Sequence, residues 1–162
     1  MNQIFLITGS NLKNKLANLE GAAQEIKKQI GTILKSSSVY ETEAWGIENQ
    51  PTFYNQVHQV GTQFSATEVM ALLLEIEKDM GRIRTTKNAA RIIDIDILFF
   101  NDAIIHTKDV VIPHKEIQNR RFVLMPLNEL APHFIHPQLK ITVKQLLKDC
   151  QDPLKVKSLS TI

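Results

Sequence analysis

The sequence predicts an α+β domain: an antiparallel sheet with two helices on one of its faces. Two observations predict it. Two stretches repeat apolar residues every three to four positions, as helices do, and shorter β-rich runs lie between and after them. The resulting order is β-α-β-β-α-β, with further short elements after it. The length agrees, because 162 residues make about one domain. With 43% apolar and 22% charged residues, the composition is that of an ordinary globular chain able to bury a core.

Each element has its own local signal. Residues 3–8, QIFLIT, form a short β-rich run that Gly9 ends, with Ser10 and Asn11 as N-caps for the first helix. Leu12, Leu16, Leu19, Ala23, Ile26 and Ile30 then fall on one helix face, which stops near Gly31. Ile33 to Thr42 reads as one strand around a serine run. Residues 43–52 hold Gly46, Asn49 and Pro51 and form a loop, and 53–62 alternate as a second strand. Ser65-Ala66-Thr67-Glu68 is a capping box for a helix carrying Val69, Leu72, Leu73, Ile76 and Met80. Residues 82–91 are basic and irregular, and 92–100, IIDIDILFF, are the strongest strand in the chain. Asn101-Asp102 turns the chain into short runs at 104–106 and 110–112. Phe122–Leu130 and Val143–Lys148 are short helices, and the polar tail beyond Asp152 is expected to fray. This is the ferredoxin-like pattern, here in a single domain spanning 1–162 with extra C-terminal strands and short helices.

Charge and cysteine content narrow the function. Nineteen basic and seventeen acidic residues leave a net charge of +2, which asks for neither nucleic acid nor an anionic membrane. Cys150 is the sole cysteine, so no internal disulfide forms. No Cys/His spacing suggests zinc. The N-terminus lacks a signal-peptide pattern and no apolar run reaches a membrane span, so the cytoplasm is the expected compartment. Nothing asks for an oligomer, and a monomer is expected.

The chemistry concentrates in two places. Asp94 and Asp96 sit two residues apart in the most apolar strand, so they share a face, with Cβ atoms roughly 7 Å apart. Such carboxylates are costly there unless the strand end is solvated or the pair holds Mg²⁺, whose hard-oxygen chemistry suits two carboxylates plus phosphates. Just before them, Arg82, Arg84, Lys87 and Arg91 occur within ten residues with no acid among them. That is either a solvated basic loop or a set of forks for phosphate oxygens. The second place is PHKEIQNRRF at 113–122, with His114, Arg120 and Arg121. No Walker or dinucleotide-binding glycine motif is present. An RNA-recognition module shares the element order, but its aromatic signature is missing and two carboxylates do not suit an RNA-facing sheet.

These residues together resemble a known family. GSNL at 9–12, GRIR at 81–84, ARIIDIDIL at 90–98 and PHKEIQNRRFVLMPL at 113–127 are similar to the 6-hydroxymethyl-7,8-dihydropterin pyrophosphokinases of folate biosynthesis. A weaker fifth stretch is Thr42 to Asn55. The resemblance implies transfer of a pyrophosphoryl group from ATP to the pterin hydroxymethyl oxygen, with release of AMP. It implies that Asp94 and Asp96 coordinate two Mg²⁺ ions that bridge the ATP phosphates and lower the pKa of the attacking hydroxyl. Arg82, Arg84 and Arg91 would belong to a loop closing over the phosphates, with Arg82 and Arg91 supporting transfer. His114 and Arg120 would hold phosphates, and Glu77 would lie near the nucleotide. The pterin would stack between Phe53 and Phe122, with Asn55 on its edge and the loop from Thr42 supplying backbone contacts. Many members carry a tryptophan with Gly-Pro before the arginine. Here the stretch is Lys87-Asn88-Ala89-Ala90, and Trp45 is the candidate to cover the pterin. Lys115 stands where relatives often carry an aromatic residue.

Overall fold

A computed structural model describes residues 1–43, 51–82 and 90–159. One antiparallel sheet organises it. Its strands are β1 (Asn2–Ser10), β2 (Gly31–Ser36), β3 (Tyr40–Thr42), β4 (Phe53–Thr62), β5 (Asp94–Phe100) and, in the C-terminal tail, β8 (Val156–Ser158). Their order is β5-β1-β4-β3-β8, with β2 also on β4. β6 (Ile105–His106) and β7 (Val111–Ile112) form a separate small hairpin. The helices are α1 (Lys15–Gln29), α2 (Ala66–Asp79), α3 (Arg121–Leu130) and α4 (Val143–Asp149). The expected βαββαβ core is therefore present. No helix among the described residues is long and apolar enough to cross a membrane.

The strand expected over 33–42 is two strands. Both pair with β4, β2 along its second half and β3 along its first. The serines explain the break. Ser37 Oγ accepts from the Val57 N–H at 3.0 Å, so a side chain replaces a ladder carbonyl. The next N–H, of Ser38, donates to the Glu129 carboxylate rather than to the sheet. α1 also starts later than expected. Its cap is Asn14, whose Oδ1 accepts from the Ala17 N–H at 3.0 Å. Ser10 ends β1, and Leu12 lies before the helix. The capping box of α2 forms in full, Ser65 Oγ taking the Glu68 N–H and Glu68 Oε1 the Ser65 N–H. The tail does not fray over 156–158. β8 lies on β3, with Thr42 opposite Val156.

Alternation along β1 divides the interior in two. Ile4 and Leu6 face α1 and α2, where Leu19, Ile26, Leu73 and Ile76 are fully buried against Val60, Ile95 and Ile97. Each such side chain contributes about 1.5–3 kcal/mol of burial. Phe5 and Ile7 face the other way, towards α3 and α4. There Phe5, Phe99 and Phe134 stack edge-on or tilted, with centroids 4.6–6.1 Å apart. The C-terminal helices thus cover part of the face that a bare βαββαβ core leaves open.

His58 on β4 gives the fold a pH signature. It is 1% exposed, and its Nδ1 lies 2.7 Å from Ser36 Oγ. Burial, with help from the Lys27 charge, lowers its pKa to about 4. The unfolded chain binds that proton near 6.5, so stability falls as pH drops from 6.5 towards 4. By this linkage His58 costs about 2 kcal/mol between pH 7 and pH 5. The expected result is a melting temperature that drops less between those pH values in His58→Gln than in the parent. Parallel pH–Tm curves for the two proteins would refute it.

Candidate active site

The second face of the sheet changes character along β1. Phe5 and Ile7 lie under α3 and α4, but the next residue on that face is Gly9. The pairing register surrounds it with functional groups. Gly9 stands opposite Asn55 on β4 and Asp94 on β5, and Ile7 opposite Val57 and Asp96. A side chain at Gly9 would collide with the Asn55 amide. The glycine is therefore the floor of a cleft, and a glycine inside a strand is the usual mark of such a close approach. Phe53, Asn55, Thr42 and Glu43 line one side. Asp94, Asp96, Arg91 and His114 line the other, and Arg120, Phe122 and Val123 come from the start of α3.

The acidic end is tightly paired. Asp94 Oδ1 accepts from Arg82 Nη1 at 2.7 Å, and its Oδ2 lies 3.3 Å from Arg91 Nη1. Arg82 also reaches Glu77 Oε1 at 3.0 Å. Burial works against the Arg82 charge, but Asp94 and Glu77 outweigh it and raise its pKa above the ordinary value. Arg82 is thus an anchored base of the basic segment, not a free loop cation. Glu77 is 3% exposed beneath β5, and its Oε2 accepts the Ile95 N–H at 2.7 Å. That places it behind Arg82.

Asp96 differs from Asp94. Its side chain keeps 40% exposure into the cleft, yet the surrounding protein desolvates it and the Asp94 and Glu77 charges oppose its ionisation. Its pKa is pushed well above the carboxylate range. His114 faces it, with Nε2 3.9 Å from Asp96 Oδ2. Burial, then the Arg120 charge, lowers the His114 pKa to about 4, so the ring is neutral. Nδ1 accepts the Glu116 N–H at 3.1 Å, which leaves the proton on Nε2, aimed at Asp96 and the cleft. The His114 backbone N–H is fixed on Leu98 of β5.

The other end of the cleft is aromatic. Phe53 and Phe122 line the same cleft, and Arg91 and Arg120 lie over them, 5.6 and 5.7 Å from the ring centres. Asn55 is 5% exposed and its amide donates to the Thr8 carbonyl at 3.3 Å. Its Oδ1 is buried without a hydrogen-bond partner among the described residues. Thr42 is 3% exposed, and its hydroxyl donates to the Lys155 carbonyl.

Of the residues singled out in the sequence, Arg91, Asp94, Asp96, His114, Arg120, Thr42, Phe53, Asn55 and Phe122 line one cleft. Arg82 and Glu77 stand behind it. Arg84 and Trp45 lie outside the described residues. Sequence reading missed Gly9 as the floor, although a glycine in an apolar strand was a signal. It also missed Asn11, which is 1% exposed. The Asn11 N–H donates to the Arg91 carbonyl, its side-chain Oδ1 accepts the Arg91 N–H at 2.7 Å, and its Nδ2 donates to the Pro51 carbonyl. It read only as a helix cap.

Comparison with known proteins places the chain in a family. Residues 5–132 match the family model of 7,8-dihydro-6-hydroxymethylpterin-pyrophosphokinase. The 2-amino-4-hydroxy-6-hydroxymethyldihydropteridine pyrophosphokinase of Aquifex aeolicus is 35% identical over 90% of both chains. That of Haemophilus influenzae is 31% identical over 94% of this chain and 96% of its own. The folic acid synthesis protein FOL1 of Dictyostelium discoideum is 39% identical over 90% of this chain, which spans only 22% of that longer protein. A solved HPPK-DHPS of Plasmodium falciparum shares the fold, with a TM-score of 0.75 and 21% identity, over 91% of this chain and 43% of that one. The chain belongs to the 7,8-dihydro-6-hydroxymethylpterin-pyrophosphokinase family.

Proposed function

We propose that this cleft carries out the family's reaction, the transfer of the pyrophosphoryl group of ATP to the hydroxymethyl oxygen of 6-hydroxymethyl-7,8-dihydropterin, with Mg²⁺ held at Asp94 and Asp96. The observation that carries the reading is the cleft's polarity. One end is a flat aromatic slot with a buried acceptor, Asn55 Oδ1, that has no partner among the described residues, and the other is a carboxylate pair ringed by arginines. A pterin ring needs the first. A metal-bound polyphosphate needs the second.

The donor set fits Mg²⁺. Among the described residues no third His, Cys, Asp or Glu completes a cage around the pair. Mg²⁺ does not require one, since it keeps waters and phosphate oxygens as its other ligands. The crowding of negative charge that raises the Asp96 pKa is relieved by a divalent cation. When bound, two such ions would neutralise phosphate charge and acidify the pterin hydroxyl. The chain's own residues do the rest. Asn55 Oδ1 accepts an N–H from the ring edge. Phe53 and Phe122 orient the ring plane so that the hydroxymethyl arm points along β5 to the carboxylates. Neutral His114 donates its Nε2 proton to a phosphate oxygen, and Arg120 adds charge beside it. Arg91 lies between the two ends and spans both substrates. In this reading Arg84 assists from the basic loop, Trp45 covers the ring, and the protein works in the cytoplasm as a monomer, independent of nucleic acid.

The test is a product assay with ATP, Mg²⁺ and the pterin alcohol, with nucleotides separated afterwards. The expected result is AMP formed in step with pterin diphosphate and abolished by EDTA. Formation of ADP, or activity indifferent to EDTA, would overturn the reading.

A further inference from the structure

Residues 150–159 lie beyond the part of the chain that matches the family model, and none of them lines the cleft. Yet this tail is bonded to both of the cleft's walls. On the α3 side, the first helical N–H, of Arg121, has no cap from its neighbours. It donates instead to Asp152 Oδ2 at 3.0 Å, thirty-one residues away. Asp152 is 6% exposed, and its Oδ1 accepts the Leu154 N–H at 3.0 Å, which turns the tail towards β3. The Arg121 guanidinium returns the contact by donating to the Cys150 and Asp152 carbonyls. On the β3 side, Lys155 takes the Thr42 hydroxyl, β8 pairs with β3, and the Leu159 N–H reaches Val39.

The other end of α3 is fixed separately. Glu129 accepts the Ser38 N–H and the Tyr40 hydroxyl, the latter at 2.7 Å. Burial and the Glu129 carboxylate push the Tyr40 pKa above its ordinary range. With that end tied to β3, the position of the N-terminal turn of α3 is set by the cap at Arg121. That turn carries Arg120 and Phe122, and β3 ends at Thr42 on the opposite wall.

We infer that Asp152 is a positioning residue for the aromatic slot: by capping α3 and turning the tail onto β3, it sets the separation of Phe122 from the wall formed by Thr42 and Phe53, and so the affinity for the pterin ring. The inference rests on the proposed function, because that reading assigns the slot to the pterin.

The experiment compares the parent with Asp152→Ala and Asp152→Asn. It measures Kd for the pterin alcohol by its fluorescence, steady-state KM for each substrate, and Tm. Asparagine keeps one acceptor and the side-chain volume, so Asp152→Asn is the milder of the two variants and keeps the test interpretable. The loss of a helix N-cap acceptor sets the scale, and the pterin Kd and KM rise about tenfold in Asp152→Ala and less in Asp152→Asn. kcat at saturating pterin falls much less, because Asp94 and Asp96 are untouched. A merely structural role would instead lower kcat for both substrates together, in step with the folded fraction. Unchanged pterin Kd in both folded variants would overturn the inference while leaving the function standing. Absence of pterin binding to the parent protein would overturn the function itself.

Discussion

Replacing Asp96 with asparagine is expected to lower kcat/KM for pyrophosphoryl transfer about a thousandfold, the scale of removing a principal electrostatic group from a transition state. The same change is expected to leave Tm where it was or to raise it. Both outcomes have one cause. Burial and the charges of Asp94 and Glu77 hold the Asp96 pKa well above the carboxylate range, so without a cation the fold opposes an ionisation that the unfolded chain makes freely, at a cost to stability. Asparagine has the same shape without it. It still offers an oxygen to the Nε2 proton of His114, which stands 3.9 Å away. A residue kept only for structure would behave in the opposite way, losing stability and sparing activity. AMP release under saturating substrates and a thermal melt in EDTA decide between them. A variant that keeps more than about a tenth of the parental rate would mean that Asp96 is not an essential group.

Much of this site was legible in the sequence, and the part that was not has a physical cause. Period two in IIDIDILFF put Asp94 and Asp96 on one face, and that face is the cleft. The alternation could not say which face remains uncovered, because that depends on where α3 and α4 pack. Their own apolar residues, Val123, Leu127, Val143 and Leu146, do not name the strands they cover. The serine run at 36–38 looked like a polar interruption in one strand. The break depends on Glu129, ninety-one residues away, which takes the Ser38 N–H. The tail looked like a frayed end because its residues are polar. Its order comes from one buried carboxylate, Asp152, and a backbone ladder to β3, neither of which depends on apolar pattern. Arg82 read as one of several loop cations. Nothing in a run of arginines says that Arg82 turns inward, which depends on its pairing with Glu77 and Asp94.

That inward turn of Arg82 leads to an expectation independent of any catalytic role. Its Nη1 lies 3.0 Å from Glu77 and 2.7 Å from Asp94, with only 10% of its side chain exposed and 4% of Glu77. Removing one partner of a buried ion pair takes away the main counter-charge of the other, at about 3–5 kcal/mol. Arg82→Met preserves most of the stem volume and deletes the cation, so its cost is electrostatic and not a cavity. It is expected to lower unfolding free energy in denaturant melts by about 3 kcal/mol or more. Asp94 shares little of that cost, since it is 27% exposed and retains Arg91. Glu77 bears most of it, and this makes the expectation specific. Adding Glu77→Gln removes the carboxylate charge that Arg82 balances while an amide oxygen still accepts the Ile95 N–H now held by Oε2. The double variant is therefore expected to recover more than half of the lost stability, a coupling that independent sites do not show. Additive losses in the double variant, or an Arg82→Met protein as stable as the parent, would mean that the pair holds no buried charge in place and that the arginine is kept for its work on phosphate alone.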